Sequence, residues 1–137
     1  MRAIILLLAT VLLSVTACWD SKDLTAAERE VAKFHKAFNA GQFEGLYDNG
    51  ADELKKAASK QAFLTLLETV RGKVGRFVSA KRTAWQVEYS TGATKVVVDY
   101  ETTYENGKVM EEFLYLIVAG KVLLAGYHTG TKNLPLR

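Results

Sequence analysis

The sequence predicts an α+β fold in which N-terminal helices pack on one face of a curved, four-stranded antiparallel meander, in a cone-like arrangement. Two patterns predict it. Apolar residues recur at helical spacings in the first half of the chain, and β-branched and aromatic runs separated by short glycine turns follow from Phe77 onward. The chain has 137 residues, of which 49% are apolar. That length allows one globular domain and excludes a multidomain enzyme.

The first eighteen residues have the composition of an export signal. Arg2 is the only charged residue before Asp20, and residues 3–17 form a largely apolar stretch that ends at Cys18. A membrane-spanning helix needs about 20 apolar residues, and this stretch is shorter. It therefore predicts a targeting peptide over residues 1–17.

The residues around the single cysteine, Ser14-Val-Thr-Ala-Cys18, resemble the lipobox of bacterial lipoproteins. The resemblance implies that Cys18 is acylated with fatty acids such as palmitate and becomes the first residue after cleavage. Two or three acyl chains hold a folded domain at a membrane surface, where one chain is marginal. The alternative is an ordinary secretory leader that is cleaved near Ala17 and leaves Cys18 as a free thiol.

These features predict the organisation of the whole chain. We expect a signal peptide over residues 1–17, a lipidated tether over 18–24 and one α+β domain over 25–137. The expected location is the bacterial cell envelope, with the domain anchored to a membrane and facing the periplasm or the exterior. The sequence leaves the choice between inner and outer membrane open.

The first helix is predicted to begin at a capping box, Thr25-Ala-Ala-Glu28, in which a hydroxyl and a carboxylate satisfy free backbone N–H groups. Val31, Phe34 and Phe38 follow at spacings of three and four, which is typical of a helix with one apolar face. Gly41 is the expected end of this helix.

The rest of the helical half is shorter and less regular. Residues 42–58 predict one or two short helical turns interrupted by Asp48-Asn-Gly50. Another helix is expected from about Ser59 to Arg71, with its apolar residues on one face, and Gly72 and Gly75 close the helical half.

Four strands are predicted in the second half, at about 77–89, 94–104, 109–119 and 121–128. The connections are short, and Asn106-Gly107 is the strongest hairpin signal because both residue types tolerate a positive φ. Short turns pair neighbouring strands antiparallel. The second strand alternates, which indicates one covered face with Val96, Val98, Tyr100 and Tyr104 and one wetter face with Lys95, Val97, Asp99 and Glu101.

Two short sequences mark the strand half, Gly75-Arg-Phe77 at its start and Gly120-Lys-Val-Leu-Leu-Ala-Gly-Tyr127 at its close. Together with the order of the elements, these sequences resemble the nuclear transport factor two-like superfamily. The resemblance implies a sheet that wraps the first helix and an apolar pocket open at one end. A cystatin-like arrangement, with one helix on a sheet, is the nearest competitor.

The resemblance does not supply a chemistry, because this scaffold hosts isomerases, dehydratases, carriers and interaction modules. Ketosteroid isomerases of this shape use an acidic base and a tyrosine–acid oxyanion hole. Asp99, Tyr100 and Tyr115 supply the residue types, but no motif matches, and we predict no catalytic residue.

A possible pocket is predicted at Trp85, Asp99, Tyr100, Tyr115 and His128. Aromatic residues of the sheet are expected mainly to pack in the core, with some lining a cavity. Alternation along the last strand directs His128 to the same face as Val122 and Leu124, so it is the better candidate for a titrating group at a pocket mouth. His35 is expected to border the core.

Charge and spacing bear on the other classes of partner. The formal net charge of the full chain is +3, too small to indicate nucleic-acid binding. Residues 55–82 are mainly basic and 88–112 mainly acidic. These are either mutually attracting solvated faces or, for the basic segment, a patch for anionic lipid headgroups. No metal-ligand spacing, phosphate loop or nucleophile motif predicts a cofactor or a metal.

The function expected from the sequence is a membrane-anchored, non-enzymatic binding module. It would present a pocket or a sheet face to a partner protein, a peptide or a small apolar ligand. Two alternatives remain open: a small hydrolase or isomerase that uses Asp99 or His128, and an inhibitor or immunity-type protein that blocks an envelope enzyme. The oligomeric state is not predicted.

Overall fold

A computed structural model describes residues 21–130 of the chain. The predicted signal peptide and Cys18 lie outside the described residues. The elements are, in order, α1 Lys22–Ala40, α2 Phe43–Asp48, α3 Asp52–Ala57, α4 Lys60–Val74, β1 Phe77–Ser90, β2 Ala93–Tyr104, β3 Gly107–Val118 and β4 Lys121–Gly130. The predicted α+β fold, with helices N-terminal to a four-stranded antiparallel sheet, is confirmed.

The strands follow one another in the sheet in the order β1-β2-β3-β4, as expected when each connection is a short hairpin. The two sides of the sheet differ. We call the side covered by α1 the inner face; on β2 it carries Val96, Val98, Tyr100, Thr102 and Tyr104, all buried. The outer face has no helix on it within residues 21–130, and the β2 residues between these are only partly buried.

α1 begins earlier than the sequence predicted. Its first turn is capped by Ser21, whose hydroxyl accepts a hydrogen bond from the Leu24 N–H at 3.1 Å. The prediction of a capping box at Thr25 was therefore wrong, because the upstream serine takes the capping position. As a result, the helix includes residues 22–24, which the sequence predicts to be part of the tether.

The apolar stripe of α1 forms the centre of the core. Phe34 packs edge-on against Phe113 of β3, with ring centroids 4.9 Å apart, and also contacts Tyr127 of β4 at 4.7 Å. Phe38 packs against Tyr104 of β2 at 5.4 Å. One face of α1 thus contacts three strands. The apolar residues that recur at helical spacing in α1 and those that alternate along the strands form the two sides of one core.

A β-bulge changes which face of the sheet each side chain occupies at the end of β4. Leu124 pairs with Tyr115 and Gly126 with Leu114, so Ala125 is an extra residue in the ladder. The bulge shifts the alternation by one position, and Tyr127 rather than His128 is buried on the inner face. The expectation that His128 faces the same side as Val122 and Leu124 was therefore wrong.

Two glycines of the helical half provide a matched test of backbone conformation. Gly41 ends α1 with φ 68°, and a Cβ there would lie 2.8 Å from Arg71 Nη1. Gly72 lies inside α4, where a Cβ would have nothing within 4 Å. We expect Gly41→Ala to lower the free energy of unfolding by about 1 to 2 kcal/mol and Gly72→Ala to raise it by about 0.5 to 1 kcal/mol.

Urea unfolding of the two variants beside the wild type measures both changes. Equal effects of the two substitutions would contradict the assignment of Gly41 to the left-handed cap and of Gly72 to the helix interior.

Candidate functional site

The most polar feature of the core is a buried carboxylate on β3. Glu111 is 1% exposed and lies on the inner face between Val109 and Phe113. Its Oε1 accepts hydrogen bonds from the hydroxyls of Tyr104 and Tyr127, both at 2.6 Å. Its Oε2 accepts from Thr102 at 2.6 Å, and lies 2.8 Å from His35 Nε2. Four side chains from α1, β2 and β4 thus meet at one carboxylate.

The electrostatics of this cluster favour an ionised carboxylate. Burial alone would raise the pKa of Glu111, but hydrogen bonds from His35, Thr102 and Tyr104 and the attraction of His35 hold it below its usual value of 4.5. Burial and the negative charge of Glu111 raise the pKa of Tyr104 and of Tyr127 above 10.0. Both tyrosines therefore remain protonated near neutral pH and donate to the carboxylate.

His35 connects this cluster to the surface. We predicted that it borders the core, but it is 2% exposed, and its ring stacks on Phe77 with centroids 4.0 Å apart. The pairing with Glu111 explains the difference, because a buried carboxylate with donors on every side draws the imidazole inward. Sequence reasoning missed Glu111 altogether, although its position between Val109 and Phe113 on one face was a usable signal.

A groove lies at the protein surface beside His35, between α1 and the start of β1. Its volume is about 690 Å³, and it is lined by Ala32, His35, Lys36, Asn39, Ala40, Arg76 and Phe77. Ligand sites in proteins usually measure about 300 to 1,000 Å³, so the groove is large enough to hold a small molecule or a short peptide segment.

The walls of the groove are held together by polar contacts. The Asn39 side chain accepts a hydrogen bond from the Phe77 N–H at 2.8 Å and donates to the Phe77 carbonyl at 3.2 Å. Arg71 in turn donates to the Asn39 carbonyl at 3.0 Å. Lys36 and Arg76 provide two cations beside the apolar walls, and neither side chain forms an ion pair within residues 21–130. The groove therefore combines a preformed apolar surface with positive charge.

The five residues predicted to share a pocket do not all share one. Tyr100 and Tyr115 are buried on the inner face, and burial raises the pKa of Tyr100 to about 12. Asp99 and His128 line a separate, open groove on the outer face. Trp85 lies on the inner side of β1, opposite Val98, but is 47% exposed. Cys18 lies outside the described residues.

The structure does bring Asp99 and His128 near each other. Asp99 pairs with Glu112, and Glu112 pairs with His128, so the three residues form one row across β2, β3 and β4. The row lies on the outer face, and Glu112 and His128 are exposed. Within residues 21–130 no group of three His, Cys, Asp or Glu side chains is placed to hold a metal ion.

Two comparisons with known proteins bear on this chain. A protein-family profile described as "Protein of unknown function (DUF3887)" matches residues 31–116. That region includes His35, Glu111 and the groove residues, and it ends before β4. No curated protein gives a significant match.

The buried carboxylate predicts a specific pH dependence of stability. Because the folded-state pKa of Glu111 lies below its usual value of 4.5, its contribution is complete above pH 4.5 and is lost as the pH falls through the folded-state pKa. Glu111→Gln removes this contribution. At pH 7 we expect the variant to lose about 2 to 4 kcal/mol of unfolding free energy, since an amide cannot accept from four donors.

Chemical denaturation between pH 3 and pH 7 tests this expectation. Glu112→Gln is the matched control, because Glu112 is the exposed neighbour on the other face, and we expect a change within about 0.5 kcal/mol. The assignment is wrong if the acid-induced loss of stability is as steep in Glu111→Gln as in the wild type.

Proposed function

Since the chain belongs to the DUF3887 family of proteins of unknown function, we propose its function from its own residues. We propose that it is a membrane-anchored lipoprotein of the bacterial cell envelope whose folded domain is a non-enzymatic binding module. The groove between α1 and β1 is the proposed site for a partner protein, a peptide or a small apolar ligand.

The anchor is supported by the sequence before the folded domain. A basic residue, an apolar stretch and the lipobox-like Ser14-Val-Thr-Ala-Cys18 stand in the order of a lipoprotein leader. Within residues 21–130 no helix is long and apolar enough to cross a membrane. The proposed attachment is through acyl chains at Cys18.

A place in the nuclear transport factor two-like superfamily is part of the same proposal. Its support is the order of the elements, with helices preceding an open antiparallel sheet, and the sequences Gly75-Arg-Phe77 and Gly120–Tyr127. The resemblance implies an apolar pocket open at one end, and the groove between α1 and the start of β1 is the proposed counterpart of that pocket.

The groove is the observation that carries the binding function. Its apolar lining is set by Ala32, Ala40 and Phe77, and Lys36 and Arg76 supply charge at the rim. Such a surface suits a ligand with an apolar body and an acidic group, because the apolar contact gives affinity and the two cations give orientation.

Catalysis is the second candidate, and the row of Asp99, Glu112 and His128 is the observation in its favour. Acids and an imidazole on adjacent strands are residue types for general acid–base chemistry. The row lies in an open groove on the outer face, whereas such chemistry gains most from a site that excludes water. Binding at the groove beside α1 is therefore the better-supported function.

Acylation is tested by substitution of the only cysteine. In cells fed a radiolabelled or alkyne-tagged palmitate, we expect the wild type to incorporate label and fractionate with membranes. Cys18→Ala should lose all of the label and leave the membrane fraction, because the chain has one cysteine. Trp19→Phe, which changes the next residue without removing the thiol, is the control and should remain labelled. An unlabelled wild-type protein would contradict the proposal.

Ligand capture at the groove is tested by reversing its charge. We expect Lys36→Glu combined with Arg76→Glu to reduce the amount of co-purified molecule or cross-linked envelope partner at least five-fold, measured by quantitative mass spectrometry. Lys81→Glu is the control, because Lys81 is exposed on the outer side of β1. Equal recovery with the two variants would place the binding surface elsewhere.

A further inference from the structure

Exposed aromatic residues are concentrated at one end of the sheet. The turn between β1 and β2 and the turn between β3 and β4 lie at the same end, because Thr94 pairs with Ile117. Trp85 is 47% exposed, Tyr89 69% and Val118 39%. We call this region, comprising Trp85 to Thr94 and Ile117 to Lys121, the two-turn end.

The position of α1 explains why Trp85 and Tyr89 are uncovered. Asn39 near the end of α1 binds the backbone of Phe77, and Glu28 near its start forms a 2.7 Å ion pair with Arg82. The helix therefore runs antiparallel to β1. At about 1.5 Å per helical residue and 3.3 Å per strand residue, both segments span roughly 16 Å, so the two run side by side.

The start of α1 can be placed beside β1 from the same distances per residue. Ser21 lies roughly 10 Å before Glu28, which corresponds to about three residues of β1. The N-terminal end of α1 is thus level with about Trp85, and β1 continues beyond it. The inner side of β1 from Trp85 to Tyr89 has no helix of the described chain to cover it.

Chain length limits how far Cys18 can lie from this end of the molecule. Cys18 lies three positions before Ser21, and a fully extended segment of that length reaches at most about 11 Å. Acyl chains on Cys18 would therefore hold the bilayer surface near Ser21, and so near Trp85. Tyr89 lies roughly 13 Å beyond Trp85 along the strand, in the direction away from the body of the helix.

The charge of the two-turn end suits a bilayer surface. Residues 89–94 and 117–120 contain no charged side chain. Of the charges that border them, Glu88 and Lys95 form an ion pair at 2.6 Å on the outer face, and Lys121 is positive. Tryptophan and tyrosine prefer the headgroup level of a membrane, and a nearby lysine is attracted to anionic lipids.

We propose that the two-turn end is a second membrane contact, in which Trp85 and Tyr89 enter the headgroup region of the bilayer beside the lipid anchor. This inference rests on the proposed acylation of Cys18. Together the two contacts fix the orientation of the domain, since a single point of attachment leaves rotation free. The opposite end of β1, with Phe77 and the groove, then faces away from the membrane.

Tryptophan fluorescence of the full-length acylated protein tests the contact. The chain has two tryptophans, so Trp19→Phe leaves Trp85 as the only reporter. The protein is reconstituted into phosphatidylcholine–phosphatidylglycerol vesicles with or without bromine atoms in the upper acyl chains. We expect brominated lipid to quench Trp85 at least two-fold, with emission at shorter wavelength than in detergent-free solution.

The control places the reporter at the other end of the same strand. Val78 is 60% exposed, so Val78→Trp combined with Trp19→Phe and Trp85→Phe gives an exposed probe far from the two-turn end. We expect no quenching by brominated lipid for this variant. If both probes are equally unquenched while the protein floats with the vesicles, the membrane contact is overturned and the lipid anchor stands.

Two further outcomes separate the proposals. A wild-type protein that carries no acyl chain and does not float removes the anchor and this contact together. If Trp85 is shielded from acrylamide in native envelopes but remains fully accessible in pure lipid vesicles, a protein partner covers it, and the membrane contact is wrong.

Discussion

The fold depends on the ionised carboxylate of Glu111 at the centre of a hydrophobic core. Burying an isolated carboxylate is costly, so it persists only with hydrogen-bond donors on all sides. Here the donors come from α1, β2 and β4. A shift of α1 by one residue, or a slip of β2 or β4 in register, would remove at least one of the four donors from the buried charge. The carboxylate therefore specifies how the helix sits on the sheet, which apolar contacts alone specify less sharply.

The groove inherits its shape from the same interaction. His35 has Glu111 on one side and Phe77 stacked on its ring, so the position of Phe77 follows from that of the imidazole. Asn39, one turn further along α1, binds both backbone polar groups of Phe77. His35 and Asn39 of α1 thus link the buried carboxylate to the wall of the groove. A substitution at Glu111 would therefore alter the shape of the groove although Glu111 does not line it.

The sequence predicted the architecture well because its signals are local. Helical spacing in α1 and the Asn106-Gly107 turn act within a few residues, and the helices and strands lie close to their expected bounds. The site was harder to predict because it depends on contacts between distant residues. Glu111 pairs with a histidine 76 positions away. The bulge at Ala125, which places His128 on the outer face, has no local signature in the sequence. Trp85 was expected in the core or lining a pocket because the sequence does not show where α1 stops covering β1.

The two ends of β1 have different physical characters, and this decides how the basic groove can act. At about 3.3 Å per residue, Phe77 lies roughly 26 Å from Trp85 along the strand. The Debye length at physiological ionic strength is about 8 Å, so charges at the groove are screened from a bilayer that touches the two-turn end. In the proposed orientation Lys36 and Arg76 therefore gain little from anionic headgroups. They remain free to attract an acidic group on a partner in the aqueous phase, which favours a groove that recruits ligands over a basic patch that rests on lipid.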